Sequence, residues 1–173
     1  MSLKNTKILI FVAPEFEDSE LIYPKYRMLE AGAKVVIAGP EAKVTYKGKH
    51  GNPCQSDVSF MDVKPKDFDA LIIPGGYAPD KIRNDPNVQK ITKKLFEEGK
   101  LIAFICHAGW VPISAQIIKG IKCTSYFTIK DDLINAGAKW VDEPVVIDRN
   151  VISSRSPDDL PFFCPAIINY LTK

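Results

Sequence analysis

The sequence has no apolar stretch long enough to cross a bilayer. The run from Ile8 to Ala13 meets acids almost at once, whereas a spanning helix needs roughly 20 apolar residues and a secretory core is also longer. It has no charge excess: 23 Lys plus Arg oppose 21 Asp plus Glu, and the basic residues are scattered along the chain. Neither a nucleic acid nor a membrane surface is therefore expected as partner. It has no paired cysteines. Cys54, Cys106, Cys123 and Cys164 are widely spaced with no CxxC, which speaks against a zinc or dithiol motif. Four such cysteines without a secretory signal read as free thiols in a reducing, cytoplasmic compartment, and no metal or cofactor is expected. Repeats, low-complexity tracts and linkers are also missing, and 173 residues suit a single domain over 1–173.

What is present alternates between strand and helix. Lys7 to Ala13, Lys34 to Ala38, Asp69 to Pro74 and Leu101 to Ile105 are apolar, β-branched runs that read as strands buried on both faces. Glu17 to Ala31 has helical spacing of apolar residues and ends at Gly32. Asp85-Pro86 opens a helix running to Glu98, with proline at its first position and Gly99 as cap. Val44 to Phe60, broken by glycine and proline, predicts short edge strands or a hairpin. Ala108 to Ile118 and Lys130 to Ala136 predict helices. Lys122 to Thr124, Val145 to Asp148 and Val151 to Ser154 predict strands. Asp158 to Leu171 predicts a final helix with Pro161 in its first turn and a kink at Pro165. The pattern is an α/β sandwich around a mostly parallel sheet, whose sites lie beyond the carboxyl ends of the strands.

Three strand ends carry chemistry. Cys106 follows a wholly apolar strand and precedes a helix. At such an elbow the following N–H groups and the helix dipole favour the thiolate. His107 can line the same cleft, but as the immediate neighbour it is poorly placed to point back at the sulfur. Gly75-Gly76 can turn tightly and offer N–H groups to a developing oxyanion. Glu15, Glu17, Asp18 and Glu20 crowd the end of the first strand. A carboxyl leaning towards the thiol would have a raised pKa suited to proton transfer, and spacing alone does not select one of the four. His50 and Arg155 read as structural, and Cys54, Cys123 and Cys164 as small apolar residues.

The runs Glu15 to Pro24, Lys49-His50-Gly51, Phe68 to Gly76, Ile105-Cys106-His107, Thr124-Ser125-Tyr126, Ile129 to Asp132, Asn135 to Asp142 and Ser153 to Pro157 together resemble the ThiJ/PfpI superfamily, in its PfpI branch. The resemblance covers the chain from about Lys7. It implies a flavodoxin-like three-layer sandwich of the class I glutamine amidotransferase kind. It places the nucleophile on Cys106, the carboxyl beside it on Glu17 and the histidine on His107. It places an acid reaching that histidine from a neighbouring subunit on Asp80, where the branch usually has the longer glutamate, and a tyrosine near the site on Tyr126. Ala108-Gly109-Trp110 replaces the usual glycine-proline. A homo-oligomer, dimer or hexamer, is implied.

Three functions follow. In the first, a glyoxalase or deglycase, Cys106 attacks a methylglyoxal-type dicarbonyl or an early protein adduct, and Glu17 shuttles the proton. In the second, a cysteine peptidase, Cys106 attacks a peptide bond with His107 as base and Asp80 of another subunit as its orienting acid. In the third, a non-enzymatic redox sensor or chaperone, Cys106 is oxidised to the sulfinic state.

Overall fold

The first strands form where the apolar runs predict them. The computed structural model describes residues 2–173. It opens with β1 (Lys7–Phe11), α1 (Asp18–Glu30), β2 (Lys34–Gly39), the strands β3 (Thr45–Lys47) and β4 (Pro53–Gln55), and β5 (Val58–Ser59). Next come β6 (Ala70–Ile73), α2 (Ala78–Ile82), α3 (Pro86–Glu97), β7 (Leu101–Ile105) and α4 (Trp110–Ser114). The chain closes with β8 (Lys122–Cys123), α5 (Lys130–Asn135), β9 (Lys139–Trp140), β10 (Val145–Asp148), β11 (Val151–Ser154) and α6 (Leu160–Leu171).

The main sheet has the order β10-β11-β7-β6-β1-β2-β5. Only β10 runs antiparallel to its neighbour. Ile8, Leu9 and Ile10 of β1 stand opposite Ala70, Leu71 and Ile72 of β6, so fully buried rows stack through the middle of the molecule. Helices α1 and α6 pack together, as do α3 and α4, and cover the sheet as a three-layer α/β sandwich. No helix among the described residues is long and apolar enough to cross a membrane.

Some elements depart from expectation. The helix expected over 108–118 shrinks to α4, preceded by a 3₁₀ turn over Cys106–Gly109, and Gln116 at φ 59° ends it in the left-handed region. Pro112, inside it, cannot donate to the helical ladder. Helix α2 and strand β9 were not apparent; five and two residues are too short to show a period. Helix α6 runs through Pro165 without a break.

Two junctions bring the strand ends together. Phe16 forms an antiparallel bridge with Gly76, and Glu17 N–H donates to Gly75 O at 3.1 Å. Tyr126 N–H donates to Cys106 O at 3.2 Å. The loops after β1, β6 and β7 and the segment before α5 therefore meet at one point.

Candidate active site

Cys106 sits at that point with φ 61°. A left-handed conformation at a non-glycine residue stores strain. It holds the side chain off the end of β7 while the backbone turns into the 3₁₀ turn. The residue is 8% exposed, and the N–H groups of His107 and Gly76 point at its sulfur. The elbow is as expected, but the electrostatics differ. Burial and the charge of Glu20 push the Cys106 thiol well above its ordinary value, and the two N–H donors only partly oppose them. The helix behind the elbow is five residues long, so its dipole is weak. Burial and the Glu20 charge both favour the neutral thiol over the thiolate at Cys106.

The carboxyl against this thiol belongs to Glu20, not to Glu17. Glu20 is fully buried. Its Oε2 accepts from Gly75 N–H at 2.8 Å, and its side chain interacts with that of Cys106. The pair is not aligned as a formed hydrogen bond, and Oε1 has no partner. Burial raises the Glu20 pKa from 4.5 to about 8, and the neighbouring charge of Glu17 adds to the rise. Glu20 is thus mostly an un-ionised acid at neutral pH. The reason Glu17 is excluded is conformational. It is the extended N-cap of α1, with φ −70° and ψ 115°, outside the helical repeat. Its carboxylate turns to Lys49 Nζ and His50 Nε2, both at 3.2 Å. Counted from Asp18, Glu20 lies four residues before buried Pro24 and eight before buried Met28, a periodicity that could have identified it.

Glycine is required at position 75. A Cβ there would lie 2.5 Å from Glu20 Oε2 and 2.8 Å from Cys106 Cβ. Gly76 adopts φ 80°. Because Gly75 N–H already serves Glu20, only Gly76 N–H of the pair faces the sulfur, which corrects the expectation that both line an oxyanion pocket.

His107 also departs from expectation. With Cys106 in the left-handed region, the imidazole folds back, and Nδ1 lies 3.2 Å from Sγ. Nε2 lies 3.1 Å from Thr128 Oγ1. Tyr126 stacks on the ring at 5.1 Å, and Trp110 meets it edge-on at 5.3 Å. Burial and the facing Lys49 lower the His107 pKa. The structure thus brings Cys106, His107, Gly76 and Tyr126 together and adds Glu20 and Thr128. Asp80, exposed on α2, makes no side-chain hydrogen bond or ion pair with another described residue. Glu15 pairs with Lys81 at 2.8 Å.

The remaining candidates are structural. Asp18 accepts from His50 N, Asn52 N and Asn52 Nδ2 at 2.9, 2.9 and 2.8 Å, tying the β3–β4 connection over the start of α1. Burial alone would raise its pKa, but these donors outweigh it and the net shift is downward. Glu17, Asp18 and His50 offer donor atoms within 4.8 Å of one another. The Asp18 carboxylate already accepts three hydrogen bonds and Glu17 faces an ammonium, which does not fit a resident cation. Arg155 is held by Asp142 and Asp159 at 2.8 and 2.9 Å. Cys54, Cys123 and Cys164 are buried free thiols.

Comparison with known proteins agrees with this fold. The DJ-1/PfpI family model matches residues 6–170. "Deglycase PfpI" of Pyrococcus furiosus is 50% identical over 154 residues, 89% of this chain and 92% of that protein. "Putative cysteine protease YraA" of Bacillus subtilis is 41% identical over 165 residues, 95% of this chain and 98% of that one. Among solved structures, Drosophila melanogaster DJ-1beta superposes with a TM-score of 0.90 at 30% identity, covering 99% of this chain and 91% of that one. A two-domain Anabaena variabilis protein with DJ-1/ThiJ/PfpI-like and ferritin-like domains gives 0.95 at 39% identity, covering 96% of this chain and 48% of that one.

Proposed function

This chain belongs to the DJ-1/PfpI family, and from that premise we propose that it is a cysteine-dependent glyoxalase or deglycase acting on 2-oxoaldehydes such as methylglyoxal or on their early adducts with proteins. The observation that carries the reading is Glu20. An un-ionised carboxyl buried against a cysteine is the group needed to move protons beside a newly formed carbon–sulfur bond.

The thiol proton passes to His107 Nδ1, and Sγ attacks the aldehyde carbon. The carbonyl oxygen takes a proton from Glu20, giving a neutral hemithioacetal. The Glu20 carboxylate then removes the hydrogen from the former aldehyde carbon, and that electron pair forms an enediol as the neighbouring ketone oxygen takes up the His107 proton. Glu20 returns the abstracted proton to the second carbon, and the hydroxyl on the first carbon gives its proton back to the Glu20 carboxylate, leaving a thioester of 2-hydroxypropanoate. Water cleaves it, releasing lactate and restoring the Cys106 thiol, with no net oxidation and no external thiol.

A peptidase reading has the 3.2 Å Sγ–Nδ1 contact in its favour. Against it, Gly75 N–H is committed to Glu20, leaving fewer donors for a tetrahedral oxyanion. The test is lactate formation from methylglyoxal without glutathione, beside casein cleavage, on wild type and Cys106→Ser. Lactate from wild type only is expected. An inactive wild type, or an active Cys106→Ser, contradicts the reading.

A further inference from the structure

His107 uses both ring nitrogens: Nδ1 faces Sγ at 3.2 Å and Nε2 faces Thr128 Oγ1 at 3.1 Å. We propose that Thr128, from the same chain, is the positioning residue that sets the tautomer of His107, accepting from Nε2–H so that the bare Nδ1 can take the Cys106 proton. The inference deepens the reading of Cys106 as the nucleophile and rests on it.

The assignment follows from the surroundings of the sulfur. Two backbone N–H groups already point at Sγ, and Glu20, whose contact with the thiol favours the protonated sulfur, cannot take the thiol proton and still supply its own to the carbonyl oxygen. The S–H proton therefore needs a lone pair, and Nδ1 is the ring atom within reach. Once Nδ1 is the acceptor, the ring proton sits on Nε2, where Thr128 Oγ1 is the hydrogen-bond partner among the described residues. The partner of one imidazole nitrogen decides the role of the other. When Nδ1 takes the proton, the imidazolium still needs an acceptor at Nε2, and the hydroxyl supplies it. The ring cannot easily turn away, because Tyr126 stacks on it and Trp110 packs at its edge. Trp110 is itself fixed, its indole N–H donating to Asp132 Oδ2 at 2.7 Å with Arg83 over its face. The titratable or charged groups around the ring are Cys106 with Glu20 behind it, Lys49 across the cleft and Tyr126. Arg83 and Asp132 lie beyond Trp110. None of the acids reaches Nε2, so within one chain a hydroxyl occupies the position at which a carboxylate orients a catalytic histidine.

Alkylation of Cys106 by iodoacetamide tests this without a dicarbonyl. The sulfur displaces iodide, its proton leaves through His107, and peptide mass spectrometry follows the adduct from about pH 5 to 10. Thr128→Val is expected to slow alkylation at neutral pH roughly tenfold, the effect of losing one hydrogen bond to the imidazolium, and to move the pH midpoint upward. Thr128→Ser should restore the wild-type profile. Thr128→Ala makes the same deletion should the valine variant unfold. A wild-type profile in the deletion variants overturns the proposal. So does a Thr128→Ser profile as impaired as theirs, or a slower rate with no shift in midpoint. A shift in Asp80→Asn with none in Thr128→Val would also overturn it, assigning Nε2 to an acid from a second copy. A wild type inactive on methylglyoxal would sink the proposed reaction and leave this result standing.

Discussion

Replacing Glu20 with glutamine removes the only titration of that carboxyl and keeps its shape, including an amide oxygen able to accept from Gly75 N–H. Glu20 titrates at 4.5 in a solvated chain and at about 8 in the fold. The folded state thus holds a proton that the unfolded state has lost across that window. The stability linked to the neutral acid is complete below the lower value and is lost as pH rises through the upper one. The full shift, 8 minus 4.5, is worth about 5 kcal/mol at roughly 1.36 kcal/mol per unit. The share lost by pH 7 is about 3 kcal/mol. Urea unfolding of wild type and Glu20→Gln at several pH values between about 5 and 8 reads it directly. The variant should gain on the wild type by about 2–3 kcal/mol between pH 5 and 7. A constant difference, or a wild type that gains on the variant, would refute Glu20 as a buried acid.

Other outcomes follow from the same contacts. Gly75→Ala drives a Cβ to 2.5 Å from Glu20 Oε2 and 2.8 Å from Cys106 Cβ; it should cost about 1–3 kcal/mol in a thermal melt and disturb Cys106 alkylation. A melt within error of wild type would contradict the packing. Asp18→Ala strands the donors of His50 and Asn52 and should cost about 1–3 kcal/mol, with faster proteolysis in the segment 48–52. Because the Asp18 pKa is lowered, its contribution is present above the ordinary carboxylate value and lost as pH falls through the lowered one. The wild-type advantage should therefore shrink in acid, and an advantage independent of pH would exclude the ionised carboxylate as its source.

The sheet was legible because burial on both faces leaves no polar option: Leu101 to Ile105 and Ala70 to Ile73 are apolar at every position and 0–1% exposed. The nucleophile was legible because a cysteine at the end of such a strand has few other uses. Its partner was not. Glu17 and Glu20 are three residues apart in one acidic run, and the choice depends on where the helix begins. Glu17 remains extended as the cap, while Glu20 enters the first turn on the buried side. The upward push on the thiol was not legible for a related reason. Spacing reveals the donors after β7 but not the depth of burial or the acid behind the sulfur. Thr128 stands 21 residues from His107, and no local pattern connects a loop threonine to an imidazole at that separation.

The central claim is that Glu20, and not Glu17, handles protons beside Cys106. Steady-state lactate production from methylglyoxal on Glu20→Gln and Glu17→Gln, each normalised to its Cys106 alkylation rate, tests it most directly. Loss of at least about a hundredfold in kcat for Glu20→Gln is expected, with Glu17→Gln within a fewfold of wild type because its carboxylate serves Lys49 and His50. Full activity in Glu20→Gln, or a comparable collapse in Glu17→Gln, would contradict the account.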